Sequence, residues 1–350
     1  MRFPSRTKLR PAHTPGGPKV TRDSNAASAW RSIVARYHES DPRRALWQIL
    51  NTYVPYAALW CLMYWSLGVS YWLTFGLAFV AAGFLARIFI VFHDCGHGSF
   101  FASRRKNDVL GFISGVLSFT PYQYWRHAHN IHHASAGNLD RRGPGAIWTM
   151  TVTEYRQASL WLRLRYRFYR SPPVLFVLGP VYVFLLEQRV ASFKAGWRWQ
   201  QSVQWTNLAI VLVALALSAL MGVKAYLLIQ LPIVSLAAIA GVWLFYVQHQ
   251  FDGVYWERKA NWDYYTTALE GSSFYKLPRI LQWFSGNIGF HHIHHLSPRI
   301  PNYLLERCHR ENPLFQQVAV LRLRESLKTI RYRLWDEEQQ KLVGVGLVWL

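Results

Sequence analysis

Charged residues are missing from two long stretches of the chain, and the predicted elements follow from those gaps. Between Arg44 and Arg87 lie 42 consecutive residues without Asp, Glu, Lys or Arg, most of them aromatic or aliphatic. That is room for two helices of about 20 residues, the length that crosses the hydrocarbon of a bilayer. A second gap runs from Trp199 to Phe251, where Lys224 alone separates uncharged runs of 25 and 27 residues. Short turns around Gly68 to Tyr71 and Gly222 to Ala225 make each gap a hairpin. The pattern predicts an all-α integral membrane protein with four transmembrane helices, near 47–67, 71–92, 203–222 and 226–247.

Two shorter uncharged runs, 109–125 and 171–186, are at or below the spanning minimum, and the second contains Pro172, Pro173 and Pro180. Both read as interfacial or re-entrant helices on the side that holds the termini. The remaining polar segments then form a helical cap on that side. Three segments result. Residues 1–44, with Pro4, Pro11, Pro15, Gly16, Gly17 and Pro18 among scattered Arg and Lys, read as a largely flexible basic tail. Residues 45–311 form the membrane domain, and 312–350 a C-terminal segment.

Charge supports the same topology. Of 39 Lys and Arg, 10 precede residue 45, 14 lie between 92 and 204, and 13 follow 247, which leaves only Arg87 and Lys224 elsewhere. Basic loops stay cytoplasmic, so both termini and the cap are expected in the cytoplasm, in a multi-pass arrangement suited to a bacterial inner membrane. The charged fraction of 16% is below the roughly 25% of soluble domains. The aromatic content of 16% excludes a disordered chain. Three scattered cysteines, Cys61, Cys95 and Cys308, exclude a disulfide scaffold. The formal charge of +21 invites a nucleic-acid reading, but the basic residues are spread over three segments without a recognisable DNA or RNA module. Anionic lipid headgroups are the expected partner of that charge, and no nucleic acid is.

The chemistry lies in the histidines. Ten of the 14 fall in three clusters: His93-Asp94-Cys95-Gly96-His97, His127-Ala128-His129-Asn130-Ile131-His132-His133, and His291-His292-Ile293-His294-His295. Positions i, i+3 and i+4 share one helix face, so His93/His97, His129/His132/His133 and His291/His294/His295 each form a converging set. At this histidine content one H-x-x-H-H is expected by chance only about 0.02 times, and two are present. Imidazole-only ligation suits Fe, Cu or Zn, and eight clustered ligands are enough for two ions. Asp94, the one carboxylate within the clusters, reads as a partner that orients an imidazole.

HDCGHGSFF at 93–101, PYQYWRHAHNIHH at 121–133 and HHIHHLSPRIPNY at 291–303 resemble the three histidine boxes of integral-membrane fatty acid desaturases. The resemblance is closest to the acyl-lipid delta-12/omega-3 branch. It implies His93, His97, His129, His132, His133, His291, His294 and His295 as ligands of a di-iron centre. It also implies His249, at the end of the fourth expected span, as a ninth. His127 and His292 fall at variable positions within their boxes and read as residues packed beside the ligands. Arg126, Asp252 and Asn287 are further candidates for supporting the ligands, as are Trp125, Asn138 and Asp140 of the extended second box. His13, His38 and His309 read as solvated. His13-Thr14-Pro15-Gly16-Gly17 faintly resembles a haem-binding motif, but the tail lacks the apolar core such a domain needs.

The resemblance implies an O2-dependent di-iron enzyme that places a cis double bond in an acyl chain of membrane lipid, with oleoyl to linoleoyl as the expected conversion. Without a flavin, nicotinamide or iron–sulfur motif in the chain, electrons are expected from an external donor, a ferredoxin or a cytochrome b5-like protein. A membrane hydroxylase or carotenoid-modifying oxygenase of the same metal architecture is the alternative.

Overall fold

In the computed structural model, residues 24–143, 146–192 and 195–348 are described. The Pro- and Gly-rich stretch of the tail and His13 lie outside them. The chain is mostly helical. Helix α1 (Ser24–Ala35) precedes α2 (Pro42–Ser66), α3 (Tyr71–His97), α4 (Arg104–Leu117) and α5 (Tyr122–Ser135). After strand β1 (Met150–Thr151) come α6 (Val152–Gln157), α7 (Leu160–Tyr169) and α8 (Gly179–Leu185), then the long α9 (Trp197–Met221) and α10 (Val223–His249). The remainder alternates short helices and strands: α11 (Tyr264–Glu270), β2 (Phe274–Lys276), α12 (Arg279–Phe284), α13 (His291–Leu296), α14 (Asn302–Glu311), β3 (Val320–Arg322), β4 (Leu334–Asp336) and β5 (Lys341–Val343).

Among the described residues three helices, α3, α9 and α10, are long and apolar enough to cross a membrane. Helix α2 is equally long, but Gln48, Asn51 and Thr52 dilute its apolar character. The 171–186 run belongs to a pair of helical segments, Leu160–Tyr169 and Val174–Arg189, that bend by 58° at their junction. The 109–125 run is not one helix. It breaks at Ser118 to Pro121, where Phe119 adopts a positive φ of 56°, so that α4 and α5 are 14 residues each, about 21 Å long.

Helix α3 is the axis of the fold. Ser70 caps its start by accepting from Trp72 N–H, and Gly98 ends it at φ 70°, a left-handed residue that a side chain would strain. It runs five residues beyond the expected span and so carries His93 and His97 on its last turns. Ala78, Ala81, Leu85 and Ile88 of α3 pack against Tyr56 and Met63 of α2 and Ile229, Ile233 and Val234 of α10. The alanines let these backbones approach closely, which is how helices associate in lipid. Gly111 does the same for α4: a Cβ there would overlap the Tyr122 ring. Tyr122 in turn donates to the Cys95 carbonyl at 2.7 Å, tying the start of α5 to the end of α3.

The structure adds two features to the pattern read from the sequence. The tail is folded from Ser24 onward: Trp30, Val34 and Tyr37 enter one core with Phe290, Ile293, Leu296 and Leu305, around the third histidine cluster. Spacing of apolar residues in 24–37 is short and sits beside a Pro/Gly-rich stretch, so composition masked it. The fold is also not purely helical. Strand β1 pairs in parallel with β4 and β4 antiparallel with β5, while β2 pairs in parallel with β3. These strands are two or three residues long and too short to show a period.

Candidate metal centre

Four helix ends converge. His93 and His97 come from the last turns of α3, His129, His132 and His133 from the second half of α5, and His249 is the final residue of α10. His291, His294 and His295 come from α13, a helix of six residues. The potential ligand nitrogens of His93, His97, His129, His133 and His294 all lie within 4.8 Å of one another, and those of His132, His249 and His295 form a second such group. His291 joins the second group, with its Nε2 3.0 Å from that of His249. The nine rings expected from the sequence are therefore brought together, as two adjoining sets.

Within each set the Nε2 atoms face one another: His133 to His129 at 3.1 Å and to His294 at 3.0 Å, His132 to His249 at 3.2 Å. Two nitrogens held by one ion at about 2.0–2.1 Å, at roughly a right angle, stand about 3 Å apart. Hydrogen bonds at the other ring nitrogen select the tautomer. His249 Nδ1 faces the Gly271 carbonyl at 3.2 Å, so Nδ1 carries the proton and the Nε2 lone pair points into the set. His93 Nδ1 faces Asp94 Oδ1 at 3.1 Å with the same consequence. His97 Nε2 and His295 Nε2 are buried without a hydrogen-bond partner. Buried lone pairs converging in this way fit a first-row divalent metal better than they fit one another.

Burial pushes His129, His132, His133, His291, His294 and His295 well below the usual imidazole value of 6.5, and the neighbouring imidazoles add to it. The rings are thus neutral near pH 7, the form that binds a metal.

The surrounding candidates sort differently. Trp125 stacks on His129, with centroids 4.3 Å apart and planes at 17°. Asp94 faces the His93 ring, as above. Asn287, at φ 59°, donates through Nδ2 to the Asn302 carbonyl at 3.3 Å rather than to a histidine. Arg126 bonds Asp108 at 3.2 Å instead of a ring. His127 is exposed and stacks on Trp199 with centroids 4.5 Å apart, because its position on α5 turns away from the shared face of His129, His132 and His133. Asp252 is exposed. His292 is buried on the opposite side of α13, with Nε2 3.0 Å from the Phe315 carbonyl and 3.3 Å from His309 Nδ1. Burial, then His309, pushes His292 down to about 3. His309 and His38, the latter 2.8 Å from Ser297 Oγ, are therefore partnered rather than freely solvated. Asn138 accepts from Asp140 N–H, and Asp140 pairs with Arg258 at 2.7 Å.

The sequence reading missed three contributors: the Gly271 carbonyl, Phe245, which packs on His132 and His249, and Asn302. A backbone carbonyl leaves no sequence signal. A cavity reaches the second set of histidines, with Leu139, Ile147, Phe245 and Trp256 as its apolar lining, Asn138, Arg142, Thr149 and Gln250 among its polar lining, and His132 and His249 at one side.

Helices apolar enough to cross a membrane, beside two all-histidine groups that are buried or partly buried, define a membrane protein with a metal-binding potential of two adjacent sites. Residues 70–322 match the fatty acid desaturase family. The chain is 49% identical over 311 residues to a fatty acid desaturase of Bacillus subtilis, covering 89% of this chain and 88% of the relative. More distant relatives, each 27% identical, are an sn-1 oleoyl-lipid 12-desaturase of Anabaena variabilis (69% of either chain covered) and an sn-1 acyl-lipid omega-3 desaturase (ferredoxin) of Synechocystis (70% and 67%). The chain belongs to the fatty acid desaturase family, whose members are oxidoreductases acting on acyl lipids.

Proposed function

We propose that the protein introduces a cis double bond into an acyl chain of membrane lipid, converting oleoyl to linoleoyl, with two iron ions held by His93, His97, His129, His133 and His294 on one side and His132, His249, His291 and His295 on the other. The observation that carries this reading is the pair of imidazole-only groups, one buried and the other mostly so, that adjoin each other. Bound iron would supply, with O2 and two electrons, the oxidising power to remove hydrogen from an unactivated CH2 pair. The overall balance is one acyl CH2–CH2, O2, two electrons and two protons giving CH=CH and two waters.

The chain's own part is geometry and exclusion. Gly271 and Asp94 hold the Nδ1 protons of His249 and His93, which keeps each Nε2 turned into its group. The cavity beside His132 and His249, whose lining includes Leu139, Ile147, Phe245 and Trp256, would give a chain of methylenes apolar surface to lie against next to the second set of histidines. Helices α2 with α3, and α9 with α10, would act as two hairpins across the bacterial inner membrane, with the metal site, termini and interfacial segments cytoplasmic. The concentration of Arg and Lys outside the apolar helices supports that orientation. A ferredoxin or cytochrome b5-like donor would supply electrons at this basic face, with anionic headgroups as its other partner.

The test is expression with a ferredoxin and its reductase in a host fed oleate, followed by fatty-acid profiling. New linoleate is the expected product. Only hydroxylated acids, or an unchanged profile with an iron-loaded enzyme, would contradict the reading.

A further inference from the structure

We propose that Asn302 is a positioning residue for the first histidine cluster, acting through Asp94 on His93. The proposal rests on the metal reading above. Asp94 follows His93 on α3 and is 2% exposed. One of its oxygens, Oδ1, faces His93 Nδ1 at 3.1 Å. The other, Oδ2, accepts two hydrogen bonds from Asn302, from the backbone N–H at 2.6 Å and from Nδ2 at 2.8 Å, across 208 residues of sequence.

A buried carboxylate is expensive unless its lone pairs are used. Here they are used by three N–H groups, two of them from the first residue of α14, where the helix dipole also favours a negative charge. His93 alone would leave the Asp94 side chain free to turn about its own Cα–Cβ bond. Asn302, itself buried, pins the far oxygen and so fixes which oxygen, in which orientation, meets the imidazole. The His93 Nδ1 proton is then held outward and Nε2 inward. The next residue makes a separate tie: Tyr303 OH donates to the Phe100 carbonyl at 3.1 Å and accepts from Asp41 N–H at 3.0 Å. Both residues stitch the α14 start to the end of α3, but only Asn302 does so through a histidine ligand. That difference separates positioning from general support.

Iron release from the purified full-length holoenzyme to an excess of chelator tests it. Asn302→Ala and Asp94→Asn are each expected to release iron about tenfold faster than wild type. Asn302→Ser, which keeps a donor of shorter reach, should fall between. Tyr303→Phe is expected to lower the thermal midpoint while releasing iron at the wild-type rate. Wild-type release from Asn302→Ala, or release from Tyr303→Phe as fast as from Asn302→Ala, would overturn the proposal. A wild-type protein that holds no iron would overturn the metal reading itself.

Discussion

His132 and His249 bring their Nε2 atoms to 3.2 Å although 117 residues separate them, one on α5 and the other the last residue of α10. His249 Nε2 also meets His291 at 3.0 Å, so it links the second and third histidine clusters. His249→Ala should therefore remove about one of the two irons and reduce desaturation at least 100-fold, on the scale of losing a metal ligand. His127→Ala, at an exposed ring stacked on Trp199, should keep both irons and most activity. Metal analysis and product profiling of the two variants check this.

Helix α4 can carry α5 at its observed distance only because residue 111 lacks a side chain. Gly111→Ala should push Tyr122 aside, loosen its bond to the Cys95 carbonyl and destabilise the protein by about 1–3 kcal/mol, with loss of iron. Gly76→Ala, on α3 with open space at its Cβ, should be neutral or stabilising by roughly 0.5–1 kcal/mol. Thermal midpoints in detergent, with iron content measured alongside, separate the two.

Arg87 lies inside α3, donates from Nε to Thr52 Oγ1 at 3.0 Å and to the Trp283 carbonyl, and sits 4.1 Å from the Trp283 ring centroid. It thereby pins α12 to α2 and α3. Lysine offers neither the planar face nor the forked donors. Arg87→Lys should lower stability by about 1–2 kcal/mol, read as a drop in the unfolding midpoint, with the product unchanged.

Trp30 is buried against Tyr264 and Tyr265, in the core shared with Ile293 of the third cluster. Trp30→Ala should cost about 3–5 kcal/mol. If residues 24–37 were a solvated tail, the unfolding midpoint would not move.

The basic face makes a kinetic claim. Turnover driven by an acidic ferredoxin should slow as ionic strength rises, through a higher KM for the donor rather than a lower kcat. Salt-independent KM would remove electrostatic steering from the account.

The helices that matter most were legible because lipid imposes a simple rule on sequence, namely long runs without charge. The histidines were legible because i, i+3 and i+4 spacing and residue type are both visible in one dimension, and all nine rings do meet. What escaped was set by tertiary contacts. His292 and His294 look alike in sequence, and only the packing of α13 shows that one faces His309 and the other His133. Asn287 neighbours the third cluster in sequence yet bonds Asn302, and Asp252, close to His249 in sequence, is exposed, whereas Asn302 reached Asp94 without any feature of its residue type announcing it. The folding of 24–37 depends on a core built by residues more than 200 positions away.

Iron counting on the purified full-length protein tests the central claim most directly. Two iron ions per chain, lost together with desaturation when His132 or His294 becomes alanine, is the expected result. A chain that makes linoleate while holding one iron or none would contradict it.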